Sequence, residues 1–428
     1  MKHGRMRWFI LAWLFILTLV SYMDRANLSM AVPLIMKEFN LSASQIGVVI
    51  SGLTIGYTIL NFPGGFLADR FSPKRILMFS LTFWSLFTIL TGAVGGLTSL
   101  VIVRILFGAS EGPLGPSNTK IVSQWMLPRE RGIATGIWLS AMTLGVVVGA
   151  PLAGFVIQAM GWRAVFYVFG FGSLVLVALT GFLITSKPEE HRWISTNELA
   201  LIKDHSVPTN TVKETTLKVL KHIVSNPTSW LLAIIYFGLT ALYWANLGWL
   251  PTYFVKGRGS SILASGFYSA IPNISASLGA ILVGMISDRL VKSWRTPLLI
   301  VTALITVPAT IIAVNAPMLE MSLVAFSIAA FCNFAAIALM WTIPLELLPR
   351  DRVAASSGFM LTWGSFAGVL SPIIMGVILD KTSSFNNAYY IFASAAFISA
   401  ILAIPLSFKE KVARSARVQD SNVGIARK

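Results

Sequence analysis

The stretch GFLADR at residues 65–70 recurs as GMISDR at residues 284–289, and this repeat decides how the chain is organised. A second pair supports it, because LPRER at 127–131 recurs as LPRDR at 348–352 with nearly the same offset along the chain. Repeats that stay in register across half of a sequence indicate a duplicated structural unit. The sequence therefore predicts two equivalent halves.

The composition indicates what kind of unit is repeated. Of the 428 residues, 55% are hydrophobic and only 12% are charged, and the mean hydropathy is +0.75. Soluble proteins carry about 25% charged residues, so this composition is typical of a membrane protein. A bilayer core of about 30 Å needs about 20 apolar residues per helix. Twelve such runs lie near residues 8–35, 43–68, 75–96, 99–123, 132–158, 163–185, 228–255, 262–286, 297–315, 318–345, 353–379 and 387–408.

These runs predict an all-α membrane protein built from two pseudo-symmetric bundles of six helices. We expect an N-terminal bundle over residues 1–185, a cytoplasmic linker over 186–226, a C-terminal bundle over 227–408 and a cytoplasmic tail over 409–428. The histidines of the linker are scattered, and no metal-ligand spacing occurs elsewhere. The sequence therefore predicts neither a metal site nor a cofactor.

The net charge of +16 is explained by membrane topology. If the N-terminus is cytoplasmic, the opposite face keeps only Lys37, Arg163, Lys256, Arg258 and Lys381. This bias places both termini in the cytoplasm and argues against a nucleic-acid partner. The first run has the basic start of a secretory signal, but it is too long and contains charges. We therefore expect a multi-pass, monomeric protein in the lipid bilayer of the bacterial inner membrane.

Four charged residues lie well inside the apolar runs, away from their ends: Asp24 and Arg25 in the first, and Arg104 and Glu111 in the fourth. Each Asp or Arg at a helix centre costs about 2.5–3.5 kcal/mol on insertion scales, so such residues usually serve a function. Asp24 and Glu111, competing for Arg104, form a pair that can gain and lose protons. Arg25 cannot deprotonate and offers a fork to a carboxylate. The alternative is a static ion-pair knot that fixes helix packing.

Several motifs resemble a known family. PGGFLADRFSPKR after the second run, its partial copy GMISDRL, and RILFGASEGP in the fourth run resemble the major facilitator superfamily. More narrowly, YMDRANLSMAVP, IGYTILNFPGGFLADR, RILFGASEGPLGPSN and WLPTYF resemble its anion:cation symporter family, which includes bacterial galactonate and hexuronate transporters. The resemblance covers about residues 8 to 408. It implies a twelve-helix carrier that works by alternating access.

The resemblance also implies roles for the buried charges. In the symporter family, the acids that match Asp24 and Glu111 carry protons, and Arg104 lies on the same helix as Glu111. The family's arginine that matches Arg25 holds the carboxylate of the substrate. The residue chemistry and the resemblance therefore predict the same roles, with Asp24 and Glu111 carrying protons and Arg25 binding the substrate.

Aromatic and polar residues can complete a pocket near the middle of the membrane. Tyr22 and Tyr57 align with the family's substrate-facing tyrosines, and Asn61 and Trp341 are further candidates. For any single residue of this kind, the alternative is ordinary packing.

The apolar residues that align with the pocket bear on substrate choice. Where sugar-acid carriers tend to have amides or hydroxyls, this chain aligns Met142, Met340 and Leu361. A substrate hydroxyl without a partner in an apolar pocket costs about 1–3 kcal/mol. The sequence therefore predicts a preference for a less hydroxylated or aromatic acid.

The repeated loop motif predicts a cytoplasmic gate. Gly65 allows close helix approach, and Asp69 and Arg70 are placed to latch helix ends. Asp288 and Arg289 are the equivalent pair in the second half. That copy, GMISDRL, lacks the basic residues that end the first copy, PGGFLADRFSPKR. We expect the first latch to be the stronger one, and the alternative is that these charges only enforce topology.

Together these features predict a proton-coupled symporter that imports an organic anion, a sugar acid or another monocarboxylate. The alternatives are an importer of aromatic or short-chain carboxylates, an anion or drug antiporter, and a transporter-like membrane sensor. An enzyme is not expected, because no nucleophile–base motif or metal cluster is found in the sequence. The sequence leaves three questions open. They are which acid is the substrate, in which direction it is transported, and whether the coupling ion is a proton or sodium.

Overall fold

The computed structural model describes residues 5–204, 223–287, 294–348 and 350–426. Its helices in the first half are α1 (Met6–Phe39), α2 (Ala43–Arg70), α3 (Pro73–Gly92), α4 (Leu97–Glu111), α5 (Leu114–Trp125), α6 (Arg131–Met160), α7 (Trp162–Leu183) and α8 (Thr196–Asp204). Its later helices are α9 (Pro227–Thr252), α10 (Ile262–Ile286), α11 (Thr296–Asn315), α12 (Leu319–Met340), α13 (Ile343–Leu347), α14 (Arg350–Thr382) and α15 (Phe385–Ala426). No strand occurs in these residues.

Twelve helical segments of the described chain are long and apolar enough to cross a membrane. This confirms the predicted fold class and a multi-pass membrane protein. One predicted run differs in detail, because the fourth span Leu97–Trp125 consists of two helices, α4 and α5. Gly112 and Pro113 separate them. Proline lacks the backbone N–H that would continue the hydrogen-bond ladder, so the helix is interrupted there.

The described residues form two compact units. The first holds the residues up to Asp204 together with Leu250–Ala270, and the second holds Ile223 to Trp249 and the residues from Ile271 onward. The predicted N-terminal bundle over residues 1–185 lies entirely within the first unit. The division into six plus six helices stays a prediction.

Close helix packing in the first unit places α4 and α6 against their neighbours. A Cβ on Gly108 of α4 would collide with the backbone carbonyl of Leu53, and one on Gly56 of α2 with that of Ile105. Gly145 and Gly149 of α6 pack in the same way against α1. Helices in membranes associate through such small-residue contacts. The result holds α1, α2 and α4 close enough for their side chains to meet in the interior.

Candidate functional site

An ion pair inside the first unit joins α1 to α4. Arg25 donates from Nε to Oε2 of Glu111 at 3.1 Å, and its second amino nitrogen lies 3.1 Å from the same oxygen. Oε1 of Glu111 accepts a hydrogen bond from Ser21. Ser21 and Arg25 are one turn apart on α1, so a single stripe of α1 supplies both partners of Glu111. Both members of the ion pair are buried.

Two tyrosine rings enclose the guanidinium of Arg25. Its Cζ lies 4.3 Å from the ring centroid of Tyr22 and 5.3 Å from that of Tyr57. Cation–π contacts reach about 2 kcal/mol when they are desolvated. Asn61, one turn further along α2, lies beside the Tyr57 hydroxyl. The structure thus brings three of the predicted substrate residues together around a fourth, the cation Arg25.

Asp24 lies in a different environment from its neighbour Arg25. Its Oδ2 accepts the indole N–H of Trp84 at 2.6 Å and lies 3.4 Å from the hydroxyl of Ser173. Its Oδ1 accepts from the amide of Asn27 at 3.0 Å. The side chain is only 1% exposed, and it forms no ion pair with a described residue. Three neutral donors therefore hold a buried carboxyl group that has no cation in contact.

Arg104 is placed differently from what the sequence led us to expect. We expected Asp24 and Glu111 to compete for it, but Glu111 is paired with Arg25, which shares the α1 stripe that faces α4. Within the described residues, Nε of Arg104 has no hydrogen-bond partner, and its guanidinium lies 4.4 Å from the ring centroid of Phe107. It stays within electrostatic range of both acids. Its part in proton coupling stays a prediction.

Sequence reasoning did not select several residues that contact the buried acids. Ser21 could have been found, because it lies one turn before Arg25 and within the same polar stretch of α1. Trp84 of α3 and Ser173 of α7 carry no such signal, since neither lies next to a charged residue and other polar side chains occur along both helices. Only the packing of α3 and α7 against α1 shows that they reach Asp24.

The remaining predicted pocket residues include Met142, Trp341 and Leu361. Met142 of α6 is partly buried and packs against the apolar core of the first unit. In the second unit, Trp341 follows α12, is 42% exposed and contacts the ring of Tyr236 edge-on at 6.2 Å. Leu361 of α14 is 38% exposed. Their roles in binding stay predictions.

The predicted gate is only partly described. Arg70 is exposed at the end of α2, and its Cζ lies 6.0 Å from the ring centroid of Phe71. Gly65 and Asp69 lie on α2, but their surroundings are outside the described part of the structure. Asp288 and Arg289 are outside the described residues altogether. The gate therefore stays a prediction.

A second arginine cluster lies at the start of α1, and we call Arg7, Glu130 and Glu198 the helix-end cluster. Arg7 forms a fork with both oxygens of Glu130 at 2.9 and 3.0 Å, and its remaining amino nitrogen binds Glu198 at 3.0 Å. The carboxylate of Glu198 also accepts the backbone N–H groups of Met6 and Arg7 at 3.1 Å each. It thereby caps α1 where the helix dipole favours a negative charge. This cluster attaches α8 to the bundle.

Apolar membrane-spanning helices with ionisable residues buried inside are typical of transporters. The family model of the Major Facilitator Superfamily matches residues 14–372, and the chain belongs to that superfamily. It is therefore a transporter and not an enzyme.

Individual proteins show the same relationship. The chain is 32% identical over 419 residues to a probable galactarate/D-glucarate transporter of Bacillus subtilis, covering 94% of this chain and 91% of that protein. It is 32% identical over 423 residues to a probable galactarate/D-glucarate transporter of Escherichia coli K12, with 94% of each covered. The crystal structure of a bacterial homologue of the human lysosomal transporter Spinster matches with a TM-score of 0.74 and 18% identity, over 97% of this chain and 98% of that one. At that identity the match concerns the fold alone.

Proposed function

We propose that this protein is a proton-coupled symporter that imports an organic anion, a sugar acid or another monocarboxylate, across the bacterial inner membrane. The observation that carries the proposal is the position of Arg25, which is enclosed by two tyrosine rings and paired with a buried glutamate. We place both termini in the cytoplasm and expect a monomer that works by alternating access of its two halves.

Substrate and proton are coupled through Arg25. A charged Glu111 occupies two nitrogens of the guanidinium, the same groups that a substrate carboxylate would use. A proton on Glu111 removes its charge and weakens this pair, because the Coulomb attraction between the two opposite charges is lost. The guanidinium then becomes available to the substrate. Proton and substrate favour each other's binding, and this coupling is reciprocal.

Asp24 is the second proton site in this proposal. Its contacts with Trp84, Asn27 and Ser173 are all to neutral donors. A buried carboxyl group without a contacting cation can exist in either protonation state, because burial disfavours its charged form. Arg104, within electrostatic range of both acids, links the two sites.

The substrate class follows from the relatives and from the pocket residues. The two bacterial relatives are named for polyhydroxylated sugar acids, which supports an organic anion here. Met142 and Leu361 offer no hydrogen bonds, and Leu361 is partly exposed. An importer of aromatic or short-chain carboxylates is therefore the second candidate. The antiporter alternative has less support, because Gly145 and Gly149 are used in packing against α1.

Uptake into proteoliposomes tests the proposal. Purified protein is given labelled D-glucarate, D-gluconate or benzoate outside, with an acidic-outside pH step. We expect accumulation of at least one acid, abolished by a protonophore and unchanged when potassium replaces sodium. Arg25→Lys should lose it, while Arg163→Lys should keep it, because Arg163 lies in an exposed pair with Glu38. Accumulation that follows a sodium gradient, or no response to the pH step, would reject proton symport.

A further inference from the structure

A line of buried polar residues leads away from Glu111 on the side of α1 that faces its N-terminus. Ser21 donates to Glu111. Thr18, one turn earlier on α1, accepts the side-chain N–H of Asn118 at 3.2 Å and donates to the carbonyl of Leu14 at 3.0 Å. We call Ser21, Thr18 and Asn118 the polar file. It joins α1 to α5 and belongs wholly to the first unit.

The polar file is buried but not fully hydrogen-bonded. Ser21 and Asn118 have no exposure, and Thr18 is 2% exposed. Within the described residues, Oδ1 of Asn118 and the hydroxyl of the adjacent Ser117 have no partner. Leaving such groups unpaired costs about 1–3 kcal/mol each. Buried polar atoms of this kind are usually satisfied by ordered water, which needs two to four polar partners. Asn118 and Thr18, which are hydrogen-bonded to each other, and the adjacent Ser117 are the polar groups that such a water would use.

The direction of the polar file is set by the helices that carry it. Along α1 it runs from Ser21 toward Arg7, and along α5 from the break after Glu111 toward Trp125. These two helix ends lie on the same face, because Arg7 binds Glu130 in the segment that follows α5. In the proposed topology this face is cytoplasmic.

We propose that the polar file, together with ordered water, conducts protons between Glu111 and the cytoplasm. This inference rests on the proposed symport and adds the route that the proton takes. When protonated Glu111 releases its proton, its O–H bond breaks and the Ser21 oxygen accepts the proton. The Ser21 hydroxyl proton moves on to water beside Thr18 and Asn118 and leaves as hydronium. The carboxylate that stays behind is balanced by Arg25.

Only neutral groups are available to carry the proton along the polar file. Among the described residues, the charged side chains within range of Glu111 are Arg25 and Asp24 on α1 and Arg104 on its own helix. None of them belongs to the polar file. A hydroxyl both donates and accepts hydrogen bonds, so Ser21 can pass a proton to the water beside Thr18 and Asn118 without becoming charged.

Net uptake compared with counterflow tests the route. Net uptake requires the proton to leave at the cytoplasmic side, whereas exchange of labelled for unlabelled substrate does not. With D-glucarate as the probe, Asn118→Leu should lower pH-driven uptake about tenfold while counterflow stays within twofold of the parent. Asn118→Ser, which keeps a hydrogen-bonding group, should recover most of the uptake.

A second pair of variants guards against misfolding. Thr18→Val should slow net uptake in the same selective way. Thr306→Val is its matched control, because Thr306 is also buried and also donates to its own helix at 3.0 Å, but lies in the second unit and outside the polar file. It should behave like the parent in both assays.

Each result decides one question. Selective loss of net uptake in the Asn118 and Thr18 variants supports the route. Equal losses of uptake and counterflow mean that Asn118 only joins α1 to α5, and unchanged uptake also overturns the route. If the parent shows no uptake of D-glucarate in response to the pH step, the proposed symport of this acid fails, and that is seen before any variant is made.

Discussion

The helix-end cluster and the charges in the bundle interior use the same residue types in opposite ways. In the helix-end cluster, each of the three guanidinium nitrogens of Arg7 contacts a carboxylate, and Glu198 also caps the helix. In the interior, Arg25 is paired with Glu111, whereas Asp24 and Arg104 are each 1% exposed and form no ion pair with a described residue. A fully partnered cluster has one stable arrangement. Charges that lack ion-pair partners can change protonation or partners at lower cost, as a transport cycle requires.

The largest loss of transport is expected for Arg25→Lys. A lysine ammonium cannot reproduce the fork that binds a carboxylate or the stacking between Tyr22 and Tyr57. Losing a charge-assisted hydrogen bond costs about 1.5–3 kcal/mol, so uptake at low substrate concentration should fall by about 10- to 100-fold. Expression and melting temperature should be close to those of the parent. Near-normal affinity, measured by competition, would remove Arg25 from the substrate site.

Asp24→Asn and Glu111→Gln should separate binding from accumulation. Each amide mimics the protonated acid but cannot release a proton, so uptake against a gradient should be lost. At least one of the variants should still catalyse counterflow, since the neutral form is the one that leaves Arg25 to the substrate. Accumulation at the parental level in both variants would assign the proton to another group.

Leu361→Asn should change preference by a smaller amount. A new amide would supply hydrogen bonds to hydroxyls that are otherwise desolvated, worth about 1–3 kcal/mol in discrimination. In competition against one labelled acid, D-gluconate should gain on benzoate by about tenfold. Proton coupling should not change, because Asp24 and Glu111 are untouched. An unaltered preference ratio would show that residue 361 does not line the site.

The smallest effect on transport is expected for Glu198→Gln in the helix-end cluster. Removing its charge weakens the contacts with Arg7 and the cap of α1, so the melting temperature should drop. Turnover per folded molecule should stay within about twofold of the parent if the cluster is structural. Glu189→Gln is the control. The Glu189 carboxylate lies 3.8 Å from the amino group of Lys203, and both side chains are largely exposed. Such surface pairs contribute about 0–1 kcal/mol. Loss of proton coupling in Glu198→Gln would contradict the contrast between the helix-end cluster and the interior charges.

Much of the fold could be predicted from the sequence, because each span is a local property of about twenty residues. The charged residues of the site could also be predicted, since Asp24, Arg25, Arg104 and Glu111 stand out in apolar runs. Their pairing could not. A rotation of about 100° per residue decides whether Asp24 or Arg25 faces α4, and only packing fixes that rotation.

The contacts of Asp24, the second proposed proton site, depend even more on packing. Trp84 and Ser173 come from α3 and α7, and nothing in their local sequence marks them as partners of a carboxyl group. The helix-end cluster was missed for a similar reason. Glu130 and Glu198 are ordinary charged residues of polar segments until the start of α1 is placed against them.

The most direct test of coupling through Arg25 and Glu111 is a count of protons taken up when substrate binds. Purified protein in weakly buffered detergent solution is mixed with the acid that gives the largest pH-driven uptake. The acid is added in saturating amounts and at the same pH as the protein. A pH indicator then reports the exchange. We expect about one proton to be taken up per substrate bound by the parent, since binding and protonation are linked, and none through Glu111→Gln. Binding without proton uptake in the parent, or the same uptake in Glu111→Gln, would contradict the proposed coupling.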